Sequence, residues 1–188
     1  MTLTKDREKA WELLSAHNRE EMHLRHALAV EGAMRHFARR AGEDEDLWGI
    51  VGLLHDLDWE ETPDRHCAQA AIWLEEAGYP PEFVRAMQAH GWDITGVEPQ
   101  SLLEKTLYTV DELTGFITAV ALVRPSKSLQ DLEVSSVKKK WKDKAFARGV
   151  NREVITRGAE LLGEPLEGLI AETIQALRPL EAQIGLGA

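Results

Sequence analysis

Apolar positions recur along this chain at steps of three and four, and no stretch alternates apolar with polar residues for long. That period belongs to helices with one buried face. Thr4 to about Ala16 predicts a first helix with Trp11 and Leu14 on its inner side. A second, over about 20–41, carries the stripe Ala27, Val30, Met34, Phe37 and Ala41, and Gly42 ends it. The acidic turn Glu43-Asp44-Glu45-Asp46 opens a third, where the helix macrodipole favours carboxylates. Its unbroken apolar run, Leu47 to Leu54, closes on His55-Asp56. Thr62-Pro63 predicts the start of a fourth helix with Pro in its first turn, running through His66, Ala70, Trp73 and Leu74 to Gly78. Phe83, Met87 and His90 mark a fifth, which stops at Gly91. Ser101-Leu102-Leu103-Glu104 has the form of a capping box and opens the longest helix, to about Val123. Shorter helices are expected near 135–147, 151–162 and 165–178. The pattern reads as a single all-α domain over 1–188.

Composition narrows the class. The 188 residues are 44% hydrophobic and 29% charged, ordinary for a soluble globular chain. A net charge of −10 argues against general nucleic-acid binding and against an anionic membrane surface. Cys67 is the single cysteine, so no internal disulfide is expected, which fits a reducing cytoplasm. The N-terminal residues lack a signal-peptide core, and no apolar run approaches the ~20 residues of a membrane span.

The chemistry begins at His55-Asp56. Ionisable groups at the end of a buried helix need a partner, and a divalent metal would satisfy both. Other candidates fall on or beside apolar stripes: His26 on the second helix, His66 on the fourth, His90 on the fifth and Asp111 on the longest. His17, His23 and His36 read as solvent-facing or supporting groups, with His23, one turn before His26, its nearest rival. Cys67 reads as a small packed residue, because neighbours on a helix diverge by ~100°. Asp58, Glu60 and Glu61 read as supporting acids or a solvated loop, the loop reading favoured for the two Glu.

The order His26, His55-Asp56, Asp111 resembles the HD-domain superfamily of metal-dependent phosphohydrolases. The matching stretches are Leu24-Arg25-His26-Ala27-Leu28-Ala29-Val30, Leu53-Leu54-His55-Asp56-Leu57-Asp58 and Tyr108-Thr109-Val110-Asp111-Glu112-Leu113. The resemblance covers about 20–124, which would be an HD core, and leaves 125–188 as a C-terminal helical extension. It implies an HD-type helical bundle in which His26, His55, Asp56 and Asp111 hold one ion. By the same resemblance Asp56 would bridge to a second ion held by His66 and His90, and Asp56 and His55 would be the catalytic pair. The ion would be Mn, Fe, Mg, Co, Ni or Zn. The family's common His-Asp-x-Gly-Lys continuation is here His55-Asp56-Leu57-Asp58-Trp59. Gly78-Tyr79-Pro80 precedes His90 and is read as a coincidence with the motif of the cyclic-dinucleotide branch. Thr109 to Ile117 and Val123-Arg124-Pro125-Ser126-Lys127 are similar to a small group of predicted HD hydrolases of this length.

Residues 138–144 hold five Lys against one Asp, and Arg124 and Lys127 lie just upstream. A solvated face is one reading of this island. The other is an anion-binding lid, in which Arg124, Lys127 or Lys140 would meet substrate phosphate. The expected function is therefore hydrolysis of a small phosphorylated substrate, whether phosphomonoester, nucleotide or phosphodiester. An HD-type di-iron oxygenase and a non-catalytic nucleotide-sensing module are the alternatives.

Overall fold

The computed structural model describes residues 3–187, and among these there are ten α-helices and no strand. They are α1 (Arg7–His17), α2 (Glu21–Ala41), α3 (Glu45–Leu53), α4 (Ala68–Glu76), α5 (Pro81–His90), α6 (Trp92–Thr95), α7 (Leu102–Leu122), α8 (Val134–Trp141), α9 (Arg152–Leu162) and α10 (Leu166–Leu177). The all-α, single-domain expectation agrees with this architecture.

The two longest helices form the spine. α2 packs on α3, α7 and α10, while α7 also meets α5 and α9. The stripe read on α2 is buried from Ala27 to Phe37, with Val30 and Met34 fully enclosed, while Ala41 is exposed and Gly42 closes the helix in the left-handed conformation. On α7 the capping box is complete. Ser101 Oγ accepts from the Glu104 N–H, and the Glu104 carboxylate accepts from the Ser101 N–H. Buried Glu31 ties α1 to α2 by accepting from Arg7 (2.7 and 2.8 Å) and from Arg35 (3.0 Å).

α3 lies close on α2 because Gly52 faces it. A Cβ there would stand 2.8 Å from Met34 Cγ and 3.1 Å from the Val30 carbonyl oxygen. This contact brings the end of α3, and the turn that follows, to the inner side of the bundle.

The fourth predicted helix is corrected. Pro63–Arg65 is a separate 3-10 turn, the chain breaks at His66 and Cys67, and α4 begins only at Ala68. Cys67 has a φ of 65°, which no helix accommodates. The cause lies in a distant side chain. Buried Asp58 accepts from the Ala70 N–H at 2.8 Å, capping the first turn of α4, and from His66 Nδ1 at 2.9 Å. The eighth helix is also shorter than read, ending at Trp141 before a series of turns, and the short α6 carries no strong signal in the sequence.

Candidate metal centre

His55 and Asp56 sit in the turn just past α3. The His55 ring is fully buried, and its Nδ1–H donates to the Gly52 carbonyl at 2.7 Å. That bond leaves the lone pair on Nε2. Nε2 is buried with no hydrogen-bond partner among the described residues. It faces Asp56 Oδ2 and Asp111 Oδ1, each at 3.3 Å. His26, from α2, brings Nε2 to 2.9 Å from Asp111 Oδ1 and 3.9 Å from Asp56 Oδ2. Imidazole lone pairs and carboxylates converge here without enough donors to satisfy them, an arrangement that a cation relieves.

A second cluster lies on the other oxygen of Asp56. His66 Nδ1–H is committed to Asp58, and His90 Nδ1–H is committed to the Met87 carbonyl. Their two Nε2 atoms face each other at 3.1 Å. Asp56 Oδ1 stands 3.4 Å from His66 Nε2 and 3.5 Å from His90 Nε2. Either a proton on one ring or a cation would relieve the two facing nitrogens. The donor set of imidazole and carboxylate groups fits a mid-row divalent metal on both sides of Asp56.

The electrostatics agree. Burial by itself would push the His55 imidazole down, but Asp56 and Asp111 outweigh it and raise it to about 10. Burial likewise opposes, and Asp58 chiefly drives, a rise of His66 to about 9. His90 is also raised against its burial. Burial would raise Asp56 and Asp111, yet the neighbouring imidazoles, His55 foremost, hold both well below the usual carboxylate range. Glu112 moves the other way. Burial first, and then the Asp111 charge, push it up to about 7. The carboxylates that favour protonated rings here would equally favour a cation in their place.

His26, Asp56, His66, His90 and Asp111 line one cavity of about 880 Å³. Met22, Trp59, Ile94 and Leu122 also line it, and each is an exposed large hydrophobic side chain. Glu21, Asp93 and Glu112 add carboxylates to its wall. Arg25 is the one Lys or Arg lining it among the described residues, and its guanidinium donates to Glu21 at 2.5 Å.

The expected phosphate-binding cations are elsewhere. None of Arg124, Lys127 and Lys140 lines the cavity. Arg124 pairs with Asp131 at 2.7 Å, because the turn after α7 folds Asp131 back onto it. Lys127 occupies a turn at φ 46°, where its carbonyl accepts from the Gly187 N–H at 2.7 Å. Lys140 places its ammonium over the Phe146 ring at 4.9 Å. The other histidines have partners of their own: His17 stacks on Trp73, His23 meets Glu60 at 3.3 Å and His36 meets Glu172 at 2.7 Å. Glu60 also accepts the N–H groups of Arg19 and Glu20 at the start of α2, so it belongs to a capping loop.

Cys67 is buried as expected, yet its surroundings are not those of a plain packing residue. Its Sγ lies 3.9 Å from His90 Nε2. One ligand atom from each of His66, Cys67 and His90 falls within 4.8 Å of the others. Helical divergence does not separate residues 66 and 67, because no helix runs through them.

Residues 24–115 match the family model described as the HD domain. No curated protein and no solved structure matches the chain.

Proposed function

We propose, from the premise that the chain belongs to the HD-domain superfamily, that it is a phosphohydrolase working with two adjacent divalent ions. The observation that carries this reading is the His55 Nε2 lone pair, buried without a partner and aimed at two carboxylates. His26, His55, Asp56 and Asp111 would hold the first ion, and Asp56, His66 and His90 the second. Such ions supply Lewis acidity toward a phosphoryl oxygen and lower the pKa of water. Asp56 would fix the spacing of the pair by offering Oδ2 to one side and Oδ1 to the other. The Gly52 and Met87 carbonyls and the Asp58 carboxylate hold three rings in the tautomer that presents Nε2.

The cavity wall narrows the substrate. Glu21 engages Arg25 and Asp93 engages Arg157, so neither guanidinium is free for additional phosphates. A polyphosphate chain would find no set of cations there. Met22, Trp59, Ile94 and Leu122 offer apolar area to the organic part of a substrate. We therefore assign the site to a single phosphoester, mono or di, on an uncharged or apolar body.

The test combines elemental analysis with a screen of phosphomonoesters, phosphodiesters and nucleotides under Mn, Mg, Fe, Co, Ni and Zn. Hydrolysis of simple esters ahead of nucleoside triphosphates is expected. Asp56→Ala should remove both ions and the hydrolysis while leaving helical circular dichroism intact. Full metal occupancy in that variant would overturn the assignment. Oxygen consumption by an iron form that releases no phosphate would move the chain to the oxygenases of the superfamily.

A further inference from the structure

We propose that Cys67 is a ligand to the second ion, through Sγ beside the His66 and His90 imidazoles. The site would then take a thiophilic divalent ion such as zinc, cobalt or ferrous iron in preference to magnesium or manganese. This inference rests on the two-ion reading above.

The donor atoms are spaced for it. The two imidazole nitrogens are 3.1 Å apart, the carboxylate oxygen is 3.4 and 3.5 Å from them, and the sulfur is 3.9 Å from the His90 nitrogen. Donors at such separations are neighbours around an ion with bonds of about 2.0–2.3 Å, the longer ones to sulfur. Both imidazoles are more than nine-tenths buried, and both have their Nδ1 protons committed elsewhere. Nε2 is therefore the atom that each ring can offer to an ion.

Space for the sulfur is provided by the residue after His90. A Cβ on Gly91 would stand 2.6 Å from Cys67 Sγ, so the thiol rests against a bare Cα. On binding, the thiol proton leaves to solvent and the thiolate completes a set of two nitrogens, one oxygen and one sulfur. Thiolate is the soft member of that set, and it tilts selectivity away from hard, oxygen-seeking ions.

The experiment uses the full chain stripped of metal by a chelator and titrated with Co(II), followed by elemental analysis and absorption spectroscopy. Two ions should bind, and the second should bring a near-ultraviolet thiolate-to-cobalt charge-transfer band. In Cys67→Ser the band should vanish while the visible bands of the first ion persist. Affinity for the second ion should fall at least about tenfold, the lower end of what losing even an outer partner of a ligand costs. Gly91→Ala, whose Cβ displaces the sulfur, should weaken the same band if Cys67→Ser proves insoluble. Two bound ions without the band would overturn the cysteine ligand and leave the two-ion reading standing. A single bound ion without the band would overturn both.

Discussion

At the scale of single residues, the site is set by where ring protons go. His55, His66 and His90 each give their Nδ1 proton to an oxygen outside the cluster, which turns three Nε2 lone pairs inward. Asp58 is the most exposed to test among these oxygens, since the other two are backbone carbonyls. It is wholly buried and serves two donors, His66 and the Ala70 N–H. Asp58→Asn keeps the shape but removes the charge that stiffens His66, so affinity for the second ion should fall about ten- to a hundredfold. The first ion should be unaffected. Isothermal titration of the metal-free protein measures both, and equal loss at the two sites would show general unfolding in place of lost orientation. His26, His90 and Asp111 were legible because helical spacing puts them on inward faces, and Asp58 was readable as a supporting acid. The surroundings of His66 and Cys67 were not, because both sit where the backbone leaves the helix and periodicity carries no information.

At the scale of elements, close approach between α2 and α3 positions the doublet. Gly52→Ala would drive a Cβ into Met34 and the Val30 carbonyl, both rigid parts of the core. Overpacking of this kind costs about 1–3 kcal/mol. A lower denaturant midpoint with an unchanged slope is expected, together with weaker binding of the first ion as His55 shifts. A Gly52→Ala protein with wild-type stability would show that α3 can move aside freely. The cap of α7 is a second case. Ser101→Ala should cost about 0.5–2 kcal/mol, read from the same unfolding curves. That cap was visible in four consecutive residues, and the helix it opens was placed correctly. α4 was misplaced because its cap comes from Asp58, ten residues before its first helical residue. Local pattern identifies a helix whose ends are local; it fails where tertiary contact supplies the end.

At the scale of the whole molecule, the Lys-rich segment lies off the cavity, whose lining holds Arg25 alone among Lys and Arg of the described residues. Lys138 pairs with Glu167 at 2.5 Å and Lys140 lies over the Phe146 ring. Replacing Arg124, Lys127 or Lys140 with Ala should leave hydrolysis kinetics within about threefold of wild type, well short of the loss a charge-assisted substrate contact of roughly 1.5–3 kcal/mol would produce. A tenfold fall in any of the three would return the island to the substrate. The buried cluster governs the pH response of the entire fold. In metal-free protein the imidazoles of His55 and His66 are raised to about 10 and about 9, against an ordinary value near ~6.5. Groups raised in this way stabilise the folded state fully below pH ~6.5, and that contribution is lost as pH climbs through 9 and 10. Glu112, raised to about 7 by burial, acts in the same direction between its ordinary range and neutrality. Cys67 opposes them. Burial would raise it, but His90 and His66 lower it to about 7, and its contribution is lost as pH falls through that value. The melting temperature of metal-free protein should therefore decline from pH 6.5 to 9.5. A bound ion takes the place of those protons and binds more tightly as they are released. The gain in melting temperature on adding metal should widen steadily over the same interval. Paired thermal melts with and without the ion check both slopes, and a gain that is largest at acid pH would show that the buried imidazoles are not its ligands.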